Sequence, residues 1–153
     1  MTYSDSIDIE ASPDLVFATV TDLPAMDRLS PENTGGEWMR AATGPAIGAK
    51  FKGTNRRDGE KWSTVARVTR YDPPTAFAFE VTFGPFRVAH WAYEIQATPY
   101  GCRVVETWKD RRNWIARRPD KKSGFNRSEF NKESIRTTLE RLKKVCETPN
   151  SEG

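Results

Sequence analysis

Between residues 3 and 9 the side chains alternate, with Tyr3, Ile7 and Ile9 on one side and Ser4, Ser6 and Asp8 on the other. That is the period of a strand with one buried face. The period then changes. Ser12 can cap a helix, Pro13 suits its first position, Asp14 favours the positive end of its dipole, and Val16, Phe17 and Val20 follow at helical spacing. Asp22 to Pro24 interrupts this short helix, and AMDRLS leaves room for one or two more turns before Pro31.

From Gly35 to about Arg112 the pattern is strand and turn. Gly44-Pro45 and Gly48 punctuate one connection, Arg57-Asp58-Gly59 reads as a hairpin turn, Asp72-Pro73-Pro74 ends a strand, and Tyr100-Gly101 marks a further turn. Between these signals one face repeats: Trp62, Thr64, Ala66 and Val68; Phe77, Phe79, Val81 and Phe83; Ala89, Trp91, Tyr93 and Ile95; Cys102, Val104, Glu106 and Trp108. The opposite faces are mostly polar, as an antiparallel sheet with one solvated side requires. The last element spans about Asn126 to Glu147, opened by the capping-box spacing of Asn126 and Glu129 and followed by Pro149. Its apolar stripe, Ile135, Leu139, Leu142 and Cys146, must lie on the sheet.

That stripe is uneven. The later half of the helix carries Leu139, Leu142, Val145 and Cys146, whereas the first half has Asn131, Ser134 and Thr138, with only Phe130 and Ile135 as large apolar groups. The inward strand positions are unusual too, holding three Trp, three Phe and one Tyr where aliphatic residues would normally dominate. Large rings leave irregular gaps and supply flat apolar walls. Two readings fit: a cavity for a small apolar molecule, or a solid aromatic core beneath a partly exposed helix.

A chain of 153 residues falls within the size of one domain, read as 1–148 with a frayed tail at 149–153. With 24 basic and 21 acidic residues, the formal charge of +3 is too small to make the whole surface attract anions. MTYSDSIDIE has neither a basic start nor an apolar run, and no stretch approaches the roughly 18 apolar residues of a membrane span, so a cytoplasmic protein is expected. Cys102 and Cys146 lack close metal-ligand spacing and are expected as reduced, buried thiols, with no zinc or other metal site.

The order strand, two short helices, six strands and long helix, with the phrases AMDRLSPENTGGEW, GAKFKGTNRR, YDPPTAFAFEV, WAYEI and GCRVVETWKDRR, resembles the SRPBCC proteins (START, polyketide cyclase/dehydrase, Bet v 1-like). It looks closest to their actinobacterial "polyketide cyclase/dehydrase and lipid transport" branch, over nearly all of residues 3 to 147. The resemblance implies an α+β helix-grip fold, in which a curved antiparallel sheet of about seven strands (β-α-α-β6-α) wraps a long C-terminal helix around a hydrophobic cavity. It implies no reaction, because the family includes lipid carriers, hormone receptors and aromatase/cyclases.

Glu106 is the most informative position, since strand parity places it between Val104 and Trp108 on the inner face, where a carboxylate is costly without a partner. Alternation from Phe51 turns Gly53, Asn55 and Arg57 inward, so Asn55 or Arg57 is the expected partner. A buried hydrogen-bond network, a ligand anchor and a general acid or base all fit a carboxyl so placed. His90, the single histidine, falls on the opposite face and is expected to be exposed, which removes the base of any Ser/His/Asp or Cys/His arrangement. No phosphate-cradling glycine loop or dinucleotide fingerprint is present, so no cofactor is expected.

The segment KDRRNWIARRPDKK, Lys109 to Lys122, holds seven basic and two acidic residues around Trp114 and Ile115. It fits a solvated loop, an anionic membrane surface or a protein partner, and fits nucleic acid least. Three functions remain open. The first is a carrier or sensor for a lipid- or polyketide-like molecule, walled by Trp62, Phe77, Phe79, Trp91, Tyr93 and Trp108 and anchored by Asn55, Arg57 and Glu106. The second is a cofactor-free aromatase/cyclase or dehydratase moving protons through Glu106, with Tyr93 or Arg57 assisting. The third is a regulatory partner protein working through the basic segment. Monomer and dimer are both compatible with the sequence.

Overall fold

Hydrogen bonding in the computed structural model, which describes residues 1–113, 115–116 and 125–148, joins all the alternating segments into one antiparallel sheet. β1 (Thr2–Ile9) leads into α1 (Pro13–Thr21) and a 3-10 segment (Leu23–Arg28). Then come β2 (Asn33–Trp38), β3 (Lys50–Arg57), β4 (Glu60–Asp72), β5 (Ala76–Phe83), β6 (Phe86–Thr98) and β7 (Gly101–Asp110), and finally α2 (Arg127–Glu147). The strand order is β1-β7-β6-β5-β4-β3-β2, so the six later strands form a meander and the first strand pairs with the last. The tail at 149–153, Trp114 and residues 117–122 of the basic segment lie outside the described residues.

Local chemistry accounts for the elements. Ser12 Oγ accepts from Leu15 N at 3.2 Å to open α1, and Asn126 Oδ1 accepts from the backbone of Ser128 and Glu129 to open α2. The second helical segment is 3-10 rather than α, with Pro24 in its first turn and a kink at Ala25. Asp58 (φ 50°) and Gly59 (φ 84°) form the two-residue connection between β3 and β4, whose positive φ values match the right-handed twist of the paired strands.

The two halves of α2 cover different parts of the sheet's inner face. Leu139 and Leu142 are fully buried and Cys146 nearly so, and Cys146 Sγ reaches Thr19 Oγ1 of α1 at 3.6 Å. Val16, Phe17 and Val20 of α1 join the same core, together with Ile95, Cys102 and Val104 from the sheet. This is the filled end of the grip. Both cysteines are free thiols there, and burial pushes both above the ordinary thiol range.

Packing at that end should carry most of the stability of α2. Leu139→Ala is expected to cost about 2–5 kcal/mol, whereas Ser134→Ala, one turn earlier, should stay within about 0.5 kcal/mol. Urea denaturation of the two variants measures the contrast.

Candidate functional site

Opposite the stretch of α2 from Asn131 to Thr138 the inner face of the sheet is hollow. A cavity of about 670 Å³ lies there, within the size of small-molecule sites. Asn131, Ser134 and Thr138 form its helical side. Trp91 and Trp108, directly opposite each other on β6 and β7, stack obliquely with ring centroids 6.3 Å apart. Trp62 and Phe79 continue the aromatic wall on β4 and β5.

Glu106 is 2% exposed and lines this cavity. Tyr93 faces it across the β6–β7 ladder and donates its hydroxyl to Glu106 Oε2 at 2.8 Å. Burial pushes the Glu106 carboxyl up to about 8; the Tyr93 hydrogen bond works against that rise, and Asp5, opposite Glu106 on β1, adds to it. Tyr93 itself is held well above the usual phenol range by burial and by the neighbouring carboxyl, so its proton stays in place. At neutral pH the pair is a neutral acid beside a neutral phenol.

The expected partner of Glu106 is therefore corrected. Asn55 lines the cavity but donates to Thr64 Oγ1 at 3.2 Å. Arg57 does not line it, and turns instead to Asp58 at 3.1 Å and to the face of Phe125, 3.5 Å from the ring centroid. The sheet order explains why: β3 stands four strands from β7, about 19 Å along the sheet at 4.8 Å per step, whereas Tyr93 is one strand away. Phe77 is also displaced from the expected wall. It is fully buried against Phe17 and Tyr71, at centroid distances of 6.5 and 6.4 Å, on the filled side of the grip.

Other lining residues were not visible as such in the sequence. Glu32 accepts from Arg127 Nη1 at 2.8 and 2.9 Å, a contact between residues 95 apart that only the fold brings together. Arg112, read as part of a solvated basic loop, grips Asp110 through bonds of 3.0 and 2.8 Å and also reaches the cavity wall. A signal for this was available: Asp110 continues the inward parity of Glu106 and Trp108, and an inward carboxylate demands a cation. His90 lies outside the cavity lining on the outer face, but it is half-buried rather than exposed, bonded to Thr69 Oγ1 at 3.2 Å, and burial lowers its pKa.

A sheet folded around one long helix with an internal aromatic hollow defines the class of helix-grip proteins. Residues 1–147 match the family described as "Polyketide cyclase / dehydrase and lipid transport", and the chain belongs to that family. Among solved structures it is similar to the Polyketide_cyc-like protein Cgl2372 of Corynebacterium glutamicum, at 28% identity and a TM-score of 0.52 over 92% of this chain and 79% of that one. It is also similar to Ara h 8.0201, at 13% identity and a TM-score of 0.70 over 95% and 93% of the two chains. The di-domain ARO/CYC BexL of the BE-7585A biosynthetic pathway matches at 15% identity and a TM-score of 0.74, over 98% of this chain and 51% of its own. No curated protein matches. Among the described residues no group of three His, Cys, Asp or Glu could hold a metal, and no helix is long and apolar enough to cross a membrane.

The raised Glu106 pKa has a consequence for stability. In the unfolded chain the carboxyl ionises near 4.5, whereas in the folded protein it holds its proton to about 8. Its contribution is fully present below about pH 4.5 and is lost as pH rises towards about 8, by a few kcal/mol at roughly 1.4 kcal/mol per unit. Glu106→Gln should flatten that part of the stability–pH curve, measured by urea denaturation across the range. Tyr93→Phe, which removes the one bond that lowers the Glu106 pKa, should raise it further, as read by side-chain carboxyl NMR.

Proposed function

We propose that this protein binds and encloses a small apolar molecule, lipid- or polyketide-like, as a carrier or sensor. The observation that carries this reading is the hollow half of the grip: about 670 Å³ walled by Trp62, Phe79, Trp91 and Trp108, beneath a helix whose facing residues are too small and polar to fill it. Burying apolar ligand surface at about 25 cal/mol per Å² supplies the affinity. Asn55 and Glu106 are the polar anchors, and membership of a family described by lipid transport as well as cyclisation agrees with this use.

A second reading, an aromatase/cyclase or dehydratase, is favoured by one observation. A carboxyl that titrates at about 8 inside an apolar cavity can give or take a proton near neutral pH. Only one such group is present at that point, however, since Tyr93 is the carboxyl's own hydrogen-bond donor and is held protonated. Binding therefore explains the arrangement with fewer assumptions. Contact of the Lys109–Lys122 segment with an anionic membrane belongs to the same proposal as the place where a lipid would be exchanged.

Native mass spectrometry of protein purified from its own cells should show a retained apolar ligand, and repeated failure with a broad lipid panel would overturn the reading. With a binding assay in hand, Trp91→Ala should weaken affinity about tenfold. Phe77→Leu should cost about 1–3 kcal/mol of stability and leave affinity within about twofold. Turnover of a poly-β-keto substrate that disappears in Glu106→Gln while binding survives would favour the enzyme instead.

A further inference from the structure

The outer face of β3 and β4 carries a stripe of cations. The alternation that buries Phe51 and Gly53 turns Lys50, Lys52 and Arg56 out to solvent, and Lys61 and Arg67 of β4 are exposed on the same face. The register sets Lys50 directly opposite Arg67, and Arg56 directly opposite Lys61. Like charges across a ladder repel and cost stability. Among the described residues none of the five forms an ion pair, whereas Arg70 and Arg103, also exposed, meet Asp72 and Asp8 at 2.8 and 2.9 Å. Two acids share the face, Glu37 opposite Lys52 and Glu80 opposite Arg67, so the stripe keeps a positive excess.

A second feature lies beside it. The β5–β6 hairpin, next to β4 in the sheet, ends in Phe83-Gly84-Pro85-Phe86. Phe83 and Phe86 stand directly opposite each other and are 50% and 62% exposed. Adjoining rings left in water next to a cluster of charge mark an interaction site. The cavity lining also reaches the surface here, since its exposed members are Glu60, Lys61 and Phe83. Cations, apolar rings and cavity rim therefore meet at the turn end of these hairpins.

Cations beside exposed aromatic rings match the boundary between anionic headgroups and hydrocarbon. Nucleic acid is served less well: the outward residues of β3 and β4 offer no ring on which a base could stack, and a phosphate backbone would leave the Phe pair unmatched. Going beyond the reading of the cavity, we infer that the outer face of β3 and β4, with the β5–β6 hairpin tip, is a docking surface for an anionic phospholipid bilayer. Lys50, Lys52 and Arg56 meet headgroup phosphates, Phe86 enters the interface, and the cavity rim at Lys61 and Phe83 is held against lipid. This surface uses strands separate from the Lys109–Lys122 segment.

Flotation with vesicles of phosphatidylcholine containing about 30 mol% phosphatidylglycerol, and of phosphatidylcholine alone, tests the inference. Wild type should float with the anionic vesicles only, and should release them at about 0.5 M salt. At about fivefold per cation, the triple variant Lys50→Ser/Lys52→Ser/Arg56→Ser should weaken partitioning about 100-fold; none of the three lines the cavity. Phe86→Ser should weaken it about tenfold. Absence of binding to anionic vesicles, or binding that the triple substitution leaves unchanged, would overturn the docking surface. So would tighter binding to duplex DNA that is lost in the triple variant and indifferent to Phe86→Ser. Native mass spectrometry keeps the two readings apart. A retained apolar ligand in a protein that ignores vesicles removes the docking surface alone, and vesicle binding by a protein that holds no ligand supports docking and removes the cavity reading.

Discussion

Everything in this protein depends on how one helix meets one curved sheet. The sheet offers a continuous inner face, and α2 is long enough to run along it, but only half of α2 has side chains able to fill the space between them. Where Leu139, Leu142 and Cys146 point inward, α1 closes in behind and the interior packs to completion. Where Asn131, Ser134 and Thr138 replace them, the rings of Trp62, Phe79, Trp91 and Trp108 are left facing a hollow. The filled half keeps the strands in register, and the register sets the geometry of the hollow half.

The polar chemistry inside follows from that arrangement. A carboxyl enclosed by apolar walls keeps its proton unless a cation meets it, and two arginines of the cavity lining are spent on other carboxylates, Arg112 on Asp110 and Arg127 on Glu32. Glu106 is left with a phenol as partner, and the pair stays neutral. An interior of this kind is compatible with the apolar ligand proposed above. Hydrolysis would call for a base such as histidine at this point, whereas His90 is on the other side of the sheet, bonded to Thr69.

The N-terminal end of α2 is organised differently. Phe125 lies between two guanidinium groups, 3.5 Å from Arg57 and 4.9 Å from Arg127, and Arg127 is in turn held by Glu32. These contacts tie the start of α2 to the β3–β4 hairpin and to the segment before β2. Arg57 thus works in holding elements together, a role its inward parity in the sequence did not suggest.

Much of the architecture was legible in the chain itself, because it rests on local rules. Alternation at period two marks Val104, Glu106 and Trp108 as inward whatever lies opposite them, and the caps at Ser12 and Asn126 announce their helices through bonds to backbone only two or three residues away. The uneven apolar stripe of α2 likewise foretold where packing would thin. Pairing between distant segments was decided only by the tertiary structure. That Glu106 meets Tyr93 instead of Asn55 or Arg57 depends on which strands are neighbours. That Phe77 packs under α1 while Phe79 borders the cavity depends on where along the sheet α1 comes to rest. Periodicity fixes the face on which a side chain stands, but depth along that face and identity of the neighbour are properties of the assembled layers, which no local pattern contains.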